Sequence, residues 1–139
     1  MNGPGDIRAF ADKLSSLLPD DLSPEFVLEI SPPKIPDILH AVADYYGIAP
    51  ETLCNMKLRS DLLCWARHVM YYLARTMTRR TLMQISMASS HCDFTVVSYG
   101  AARVAREIQI NEIARDDIDI LRLRVAYRVM DRCEGKTCH

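Results

Sequence analysis

No run of apolar residues in this sequence approaches the roughly 20 needed to cross a bilayer, so no transmembrane helix is expected. The chain also lacks an opening basic stretch followed by an apolar core, which excludes a readable secretory signal. No C-x-x-C pair is present among the five cysteines, Cys54, Cys64, Cys92, Cys133 and Cys138. Their odd number, with no signal, points to reduced thiols in a cytoplasmic protein. The closest pair, Cys133 and Cys138 followed by His139, makes a zinc site only if the fold supplies further ligands. No metal or cofactor is expected. No strand-like alternation and no internal repeat is visible. Excess charge is missing too: the formal net charge is −1.

What is present is an ordinary globular composition. The 139 residues are 49% hydrophobic and 25% charged, enough for one domain, or one domain and an extension. The near-neutral total conceals a division. Residues 1–37 hold three basic against seven acidic side chains, whereas residues 54–106 hold eight basic against two acidic. An acidic head before a basic middle predicts an anionic partner for the middle.

The periodicity is helical nearly throughout. Asp6 opens a first amphipathic helix through Leu18 with Ile7, Phe10, Ala11, Leu14 and Leu17/Leu18 on one face, and Pro19 ends it. Pro24 starts a short helix to about Leu28. Three prolines between Ser31 and Pro36 mark the best boundary in the chain. A helix follows Pro36 with Ile38, Val42, Tyr45 and Tyr46 in register, stopped by Gly47. A short helix starts at Pro50, and Cys54–Ser60 reads as a loop carrying Lys57 and Arg59. A long helix, Asp61 to Met77, carries the stripe Leu62, Ala66, Val69, Met70, Leu73 and Met77. After the junction Thr78–Thr81, a short helix places Leu82 and Ile85 inward. Ser89–Cys92 is a turn. Asp93 or Thr95 then caps a helix with Val97, Ala101, Val104, Ala105 and Ile108 inward. A last helix runs from about Asp116, with Ile118, Leu121, Val125 and Val129 in register. The expected organisation is an acidic helical extension and Pro-rich linker over 1–35, an all-α domain over 36–132 and a flexible tail over 133–139.

Two helices joined by a tight turn, Thr81–Ala88 and Thr95–Ile108, form a helix-turn-helix pattern. Here the residues carry a resemblance. Ile38-Leu-His-Ala-Val-Ala-Asp-Tyr-Tyr-Gly-Ile48 resembles the I-x-x-x-V-A-x-Y-Y-x-I helix that opens the C-terminal DNA-binding domain of the bacterial replication initiator DnaA. Met56–Ser60 sits where that family has a basic loop. Ala66–Arg75 resembles its A-R-x-x-A-M-Y-L-x-R helix. Thr81-Leu-Met-Gln-Ile85 resembles its S-L-x-x-I-G, with Ser86 in place of the glycine, and Ser90–Val97 its G-G-R-D-H-T-T-V signature. No segment resembles that family's ATPase region, and no G-x-x-x-x-G-K-[ST] exists.

The resemblance implies a fold of six to eight helices with a helix-turn-helix core. It further implies that the basic loop enters a minor groove while the signature reads bases in a major groove. Asp93, Thr95 and Val97 match the signature. Cys92, Phe94 and Val96 replace its arginine, histidine and second threonine, and Ser90 and His91 replace its glycines.

From the residues themselves, Arg79 and Arg80 are phosphate clamps at a helix N-terminus or a solvated junction. Val96, Tyr99, Arg103 and Arg106 recur at spacings of three or four. With Thr95 they form either a base-reading face, Val96 meeting a thymine methyl and Arg103 a phosphate or guanine, or an exposed partner-binding edge. Asp93 accepts from a cytosine amino group or simply caps its helix, and the cap is favoured. Phe94 stacks on a base or staples the helix start. Gly100 marks close helix packing. Trp65, Tyr71 and Tyr72 are core aromatics rather than a stacking platform. The scattered histidines, His91 beside Cys92 included, supply no catalytic arrangement, and no enzymatic activity is expected.

Two functions follow. The first is binding of double-stranded DNA in replication or transcription control, with Lys57, Arg59, Arg67, Arg79, Arg80, Arg103 and Arg106 neutralising phosphates and the protein residing on the nucleoid. The second is a protein-interaction module that kept the fold, with a partner or homodimer formed through the N-terminal helix, whose acidic flank would screen the basic surface. No membrane partner is expected, because the first helix carries two acids against two bases rather than a basic face.

Overall fold

The computed structural model of the chain describes residues 32–89 and 93–137, with side chains described through Arg132. The helices expected over Asp6–Leu18 and from Pro24, the turn at 90–92 and the cysteine-containing tail side chains lie outside the described residues. Among the described residues there are six α-helices and no strand: α1 (Ile35–Tyr46), α2 (Pro50–Cys54), α3 (Asp61–Met77), α4 (Leu82–Ser89), α5 (Phe94–Ile110) and α6 (Glu112–Thr137). None of them is long and apolar enough to cross a membrane.

Local chemistry sets most of the boundaries. The Lys34 backbone N–H donates to the Asp37 carboxylate at 2.8 Å, and Pro36 lies in the first turn of α1. Gly47, at φ 67°, ends α1 in the left-handed conformation, and its N–H returns to the carbonyls of Ala43 and Asp44. Ser60 caps α3, its hydroxyl accepting from the Leu63 N–H at 3.1 Å. Thr81 and Gln84 form a reciprocal box at the start of α4, with bonds of 3.1 and 2.9 Å. Asp93, not Thr95, caps α5.

α3 is the central element and packs against all five others, most extensively against α5. The core joins Ile38 and Val42 of α1, Leu53 of α2, Val69, Met70, Tyr71 and Leu73 of α3, and Ile85 of α4. Val97 and Val104 of α5 and Ile118, Leu121 and Val125 of α6 complete it. α6 is tied to α1 by polar links: the Tyr45 hydroxyl donates to Asp117, and Arg132 pairs with Asp37 at 3.0 Å. Gly100 explains the intimacy of α3 and α5. A Cβ there would lie 2.6 Å from the His68 ring and 2.9 Å from the Tyr71 ring, a distance no side chain tolerates without displacement.

Four expectations need correction. Leu62 does not join the α3 stripe and is exposed, because it lies in the first turn beside the loop rather than over the core. The linker is not separate from the domain at residue 35: Pro33 and Ile35 are buried against it. α6 starts at Glu112 rather than about Asp116, since the side-chain oxygen Oδ1 of Asn111 accepts from the N–H groups of Ile113 and Ala114 at 3.0 and 3.3 Å. Its backbone stays helical to Thr137, through residues 133–137 of the expected tail.

Candidate nucleic-acid interface

The first group of candidate residues surrounds the N-terminal end of α3. The loop between α2 and α3 is folded around Arg67, one of the most buried polar residues described, at 3% exposure. Its guanidinium donates to the carbonyls of Leu53 at 2.8 Å, Asn55 at 2.6 Å and Leu58 at 2.7 Å. These carbonyls belong to a helix end and a loop with few backbone partners of their own, so a fixed, fork-shaped cation satisfies three acceptors at once. Arg67 was expected to neutralise phosphate. Its donors are committed inward instead, and its place is behind the loop. Lys57 and Arg59, by contrast, are exposed on the loop that Arg67 shapes. The Lys57 N–H is fixed by the Asn55 side chain at 3.0 Å.

The second group lies past the other end of α3. Thr78 terminates the helix by donating its hydroxyl to Ala74 O at 2.6 Å, and accepts from the Arg80 N–H at 3.2 Å. Arg79 and Arg80 follow, both exposed, immediately before the capped start of α4. The 17 residues of α3 put about 25 Å between this junction and the loop. Among the described residues, no acidic side chain pairs with Lys57, Arg59, Arg79, Arg80 or Arg106.

The third group is on α5. The Asp93 carboxylate accepts from both the N–H and the hydroxyl of Thr95, each at 2.9 Å. These bonds hold its carboxyl below the usual carboxylate range. Asp93 and Thr95 thus form one exposed polar unit at the helix start, next to exposed Phe94. Tyr99 is 62% exposed and meets the His68 ring edge-on, with centroids 5.9 Å apart.

Arg103 departs from expectation. Its guanidinium lies over the Trp65 ring, 5.3 Å from the centroid, and sits 3.0 Å from His68 Nδ1. Burial, and then the neighbouring Arg103 and Arg67 charges, push the His68 pKa down, so the ring is neutral and accepts from Arg103. Arg103 lies one turn after Gly100 and is half-buried against α3, so its guanidinium is shared between these contacts and solvent. Val96 is likewise half-buried against the core. The exposed stripe of α5 runs instead through Thr95, Ser98, Tyr99, Ala102 and Arg106. Ser98 and Ala102 were missed. Their spacing of three and seven from Thr95, opposite Val97 and Val104, was the available signal.

The arrangement is therefore a capped helix pair, α4 and α5, flanked by exposed cations that have no acidic partner among the described residues, with a shaped basic loop beyond. Residues 35–104, from the first residue of α1 into α5, match the family described as bacterial DnaA protein helix-turn-helix. The chain belongs to that family. Its relatives include the chromosomal replication initiator protein DnaA of Oenococcus oeni, 32% identical over 91 residues, which are 66% of this chain and 20% of the relative. The DnaA of Chloroflexus aggregans is 33% identical over 88 residues, 63% of this chain and 18% of the relative. The DnaA of Symbiobacterium thermophilum is 28% identical over 125 residues, 86% of this chain and 27% of the relative. The chain thus spans about a fifth to a quarter of the length of these DnaA proteins. The match ends within α5, so α6, which closes the core against α1, lies beyond the family's matched segment.

Proposed function

We propose that this chain binds double-stranded DNA through α4, α5 and the loop before α3, in replication or transcription control. The observation that carries the reading is the set of five exposed cations without acidic partners among the described residues, Lys57, Arg59, Arg79, Arg80 and Arg106, around a capped and exposed α5. In a DnaA-family helix-turn-helix, such cations hold phosphates while the exposed stripe of the second helix meets base edges. Thr95, Ser98 and Tyr99 are the proposed base-reading positions. Asp93 acts mainly as the cap that fixes Thr95. Arg67 and Arg103 act from behind, shaping the loop and holding α5 on α3.

The two assignments of the arginines differ measurably. Each neutralised phosphate contributes about −0.9 to the slope of log affinity against log salt. Five contacts give about −4.5, or roughly a 500-fold loss between about 50 and about 200 mM salt. Counting Arg67 and Arg103 as well gives about −6.3, or roughly 6,000-fold. The test is fluorescence anisotropy on random-sequence duplex across that range. Binding that collapses with the shallower slope is expected. No binding at the lowest salt overturns the reading and leaves the protein-interaction module, for which the exposed Phe94 and Tyr99 would be the natural contacts.

A further inference from the structure

An open groove of about 450 Å³ lies between the start of α1 and the outer side of α4. Lys34, Ile35, Pro36, Arg80, Gln84, Met87 and Ala88 line it. Met83 and Met87 are one turn apart on α4 and are 54% and 59% exposed, while Ile85 and Ser86 between them are buried. Met87 lines the groove and Met83 lies one turn before it on α4; exposed, flexible thioether side chains at and next to an apolar wall are a surface suited to an amphipathic helix. Its rim is basic, through Lys34 and Arg80. The nearest carboxylate at the start of α1, Asp37, is already taken by Arg132.

We propose that this groove receives residues 6–18 of the same chain. Three observations select that occupant. The first is connectivity: the described fold begins at Pro32, and Lys34, Ile35 and Pro36 just after it are groove residues themselves. Residues 19–31 reach at most about 45 Å, so residues 6–18 are confined near the groove at a high effective concentration. The second is pattern: Ile7, Phe10, Leu14 and Leu17 make an apolar stripe at helical spacing. The third is charge: residues 1–31 hold six acidic against two basic side chains, opposite in sign to the rim. Asp20 and Asp21 follow the stripe directly in sequence, so a docked segment would offer their carboxylates to Arg80. Because Arg80 is both rim residue and proposed phosphate contact, the docked segment competes with DNA for it. The docking stands apart from the DNA reading, but its consequence for affinity rests on that reading.

The experiment uses the full chain with its methionine methyls labelled for NMR, alone and as the Phe10→Asp/Leu14→Asp variant. Docking in cis is expected to shift the Met83 and Met87 methyls between the two proteins, equally across a tenfold concentration range. The buried Met70 methyl should stay in place, which reports an intact core. Identical Met83 and Met87 signals overturn the docking. Differences that grow with concentration overturn the cis arrangement in favour of a second copy. On duplex DNA at fixed salt, the variant is expected to bind about 3- to 10-fold more tightly, as a binding-competent fraction is released. Its two added negative charges alone would weaken binding, so an unchanged or weaker affinity overturns the competition for Arg80. A chain that binds no DNA in either form overturns only the DNA reading, while the methyl signals still decide the docking.

Discussion

The two ends of α3 meet their loops in opposite ways. At the N-terminal end, one buried arginine gathers three carbonyls and the loop takes its shape from within. At the C-terminal end, the junction is held by two threonine hydroxyls and its arginines are left facing water. The same residue type is thus scaffold at one end and, among the described residues, an exposed charge without an acidic partner at the other. What separates them is the number of unpaired backbone acceptors nearby. A loop with no secondary structure of its own needs donors from elsewhere, whereas a junction between two capped helices does not.

That contrast can be broken most severely at Arg67. Arg67→Ala takes the guanidinium from the buried Leu53 carbonyl and the part-buried Asn55 and Leu58 carbonyls, of which Asn55 keeps the Leu58 N–H, and is expected to destabilise the fold by about 2–4 kcal/mol in denaturant unfolding. Arg67→Lys should recover only part of this, because a point charge cannot replace the fork. A loss below about 1 kcal/mol for Arg67→Ala would mean that the loop keeps its form without it. At the other end, Arg79→Ala should leave stability within about 0.5 kcal/mol. It should instead weaken DNA binding for all sequences alike and flatten the salt slope by about 0.9.

Gly100→Ala probes the contact between α3 and α5. Overpacking costs about 1–3 kcal/mol, and alanine's better helix propensity offsets about 1 of it. A net loss of about 1 kcal/mol should appear as a melting point lower by roughly 4–8 °C. Thr81→Ala removes the box that starts α4 and should cost about 1 kcal/mol. The smallest expected effect concerns His68. Its pKa is lower in the fold than its ordinary value near 6.5, so the unfolded chain binds the extra proton first. This contribution to stability is complete above about pH 6.5 and is lost progressively as pH falls below it. His68→Gln should remove that part of the acid dependence in thermal melts between about pH 7 and 5.

Much of the fold was legible because short-range chemistry fixed it. Ser60 and Thr78 bound α3 at the residues its periodicity indicated, and Gly47 ended α1 where a left-handed cap was needed. The start of α6 was harder to read. Ile110 and Ile113 flank the Asn111 cap yet are 82% and 73% exposed, so the apolar pattern there follows no core stripe. Among the candidate interface residues, exposure was partly legible and the partners of the side chains were not. Lys57, Arg59, Arg79, Arg80 and Arg106 are exposed, as a charge count would suggest. The inward turn of Arg67 and Arg103 depends on carbonyls 9–14 residues away and on a ring 35 residues away. No spacing rule within one helix carries that information.

The central position of α3 has a consequence for how this chain can vary. The proposed loop contact and the proposed helix-turn-helix contact hang from opposite ends of one rod, so its length sets both their distance and their relative heading. One inserted residue would lengthen the rod by about 1.5 Å but turn one end against the other by about 100°. Substitutions along α3 are therefore graded in effect, whereas insertions and deletions are a matter of phase. A tolerated change of length would have to come in whole turns, and even then would move the two contacts apart by more than one step of the double helix.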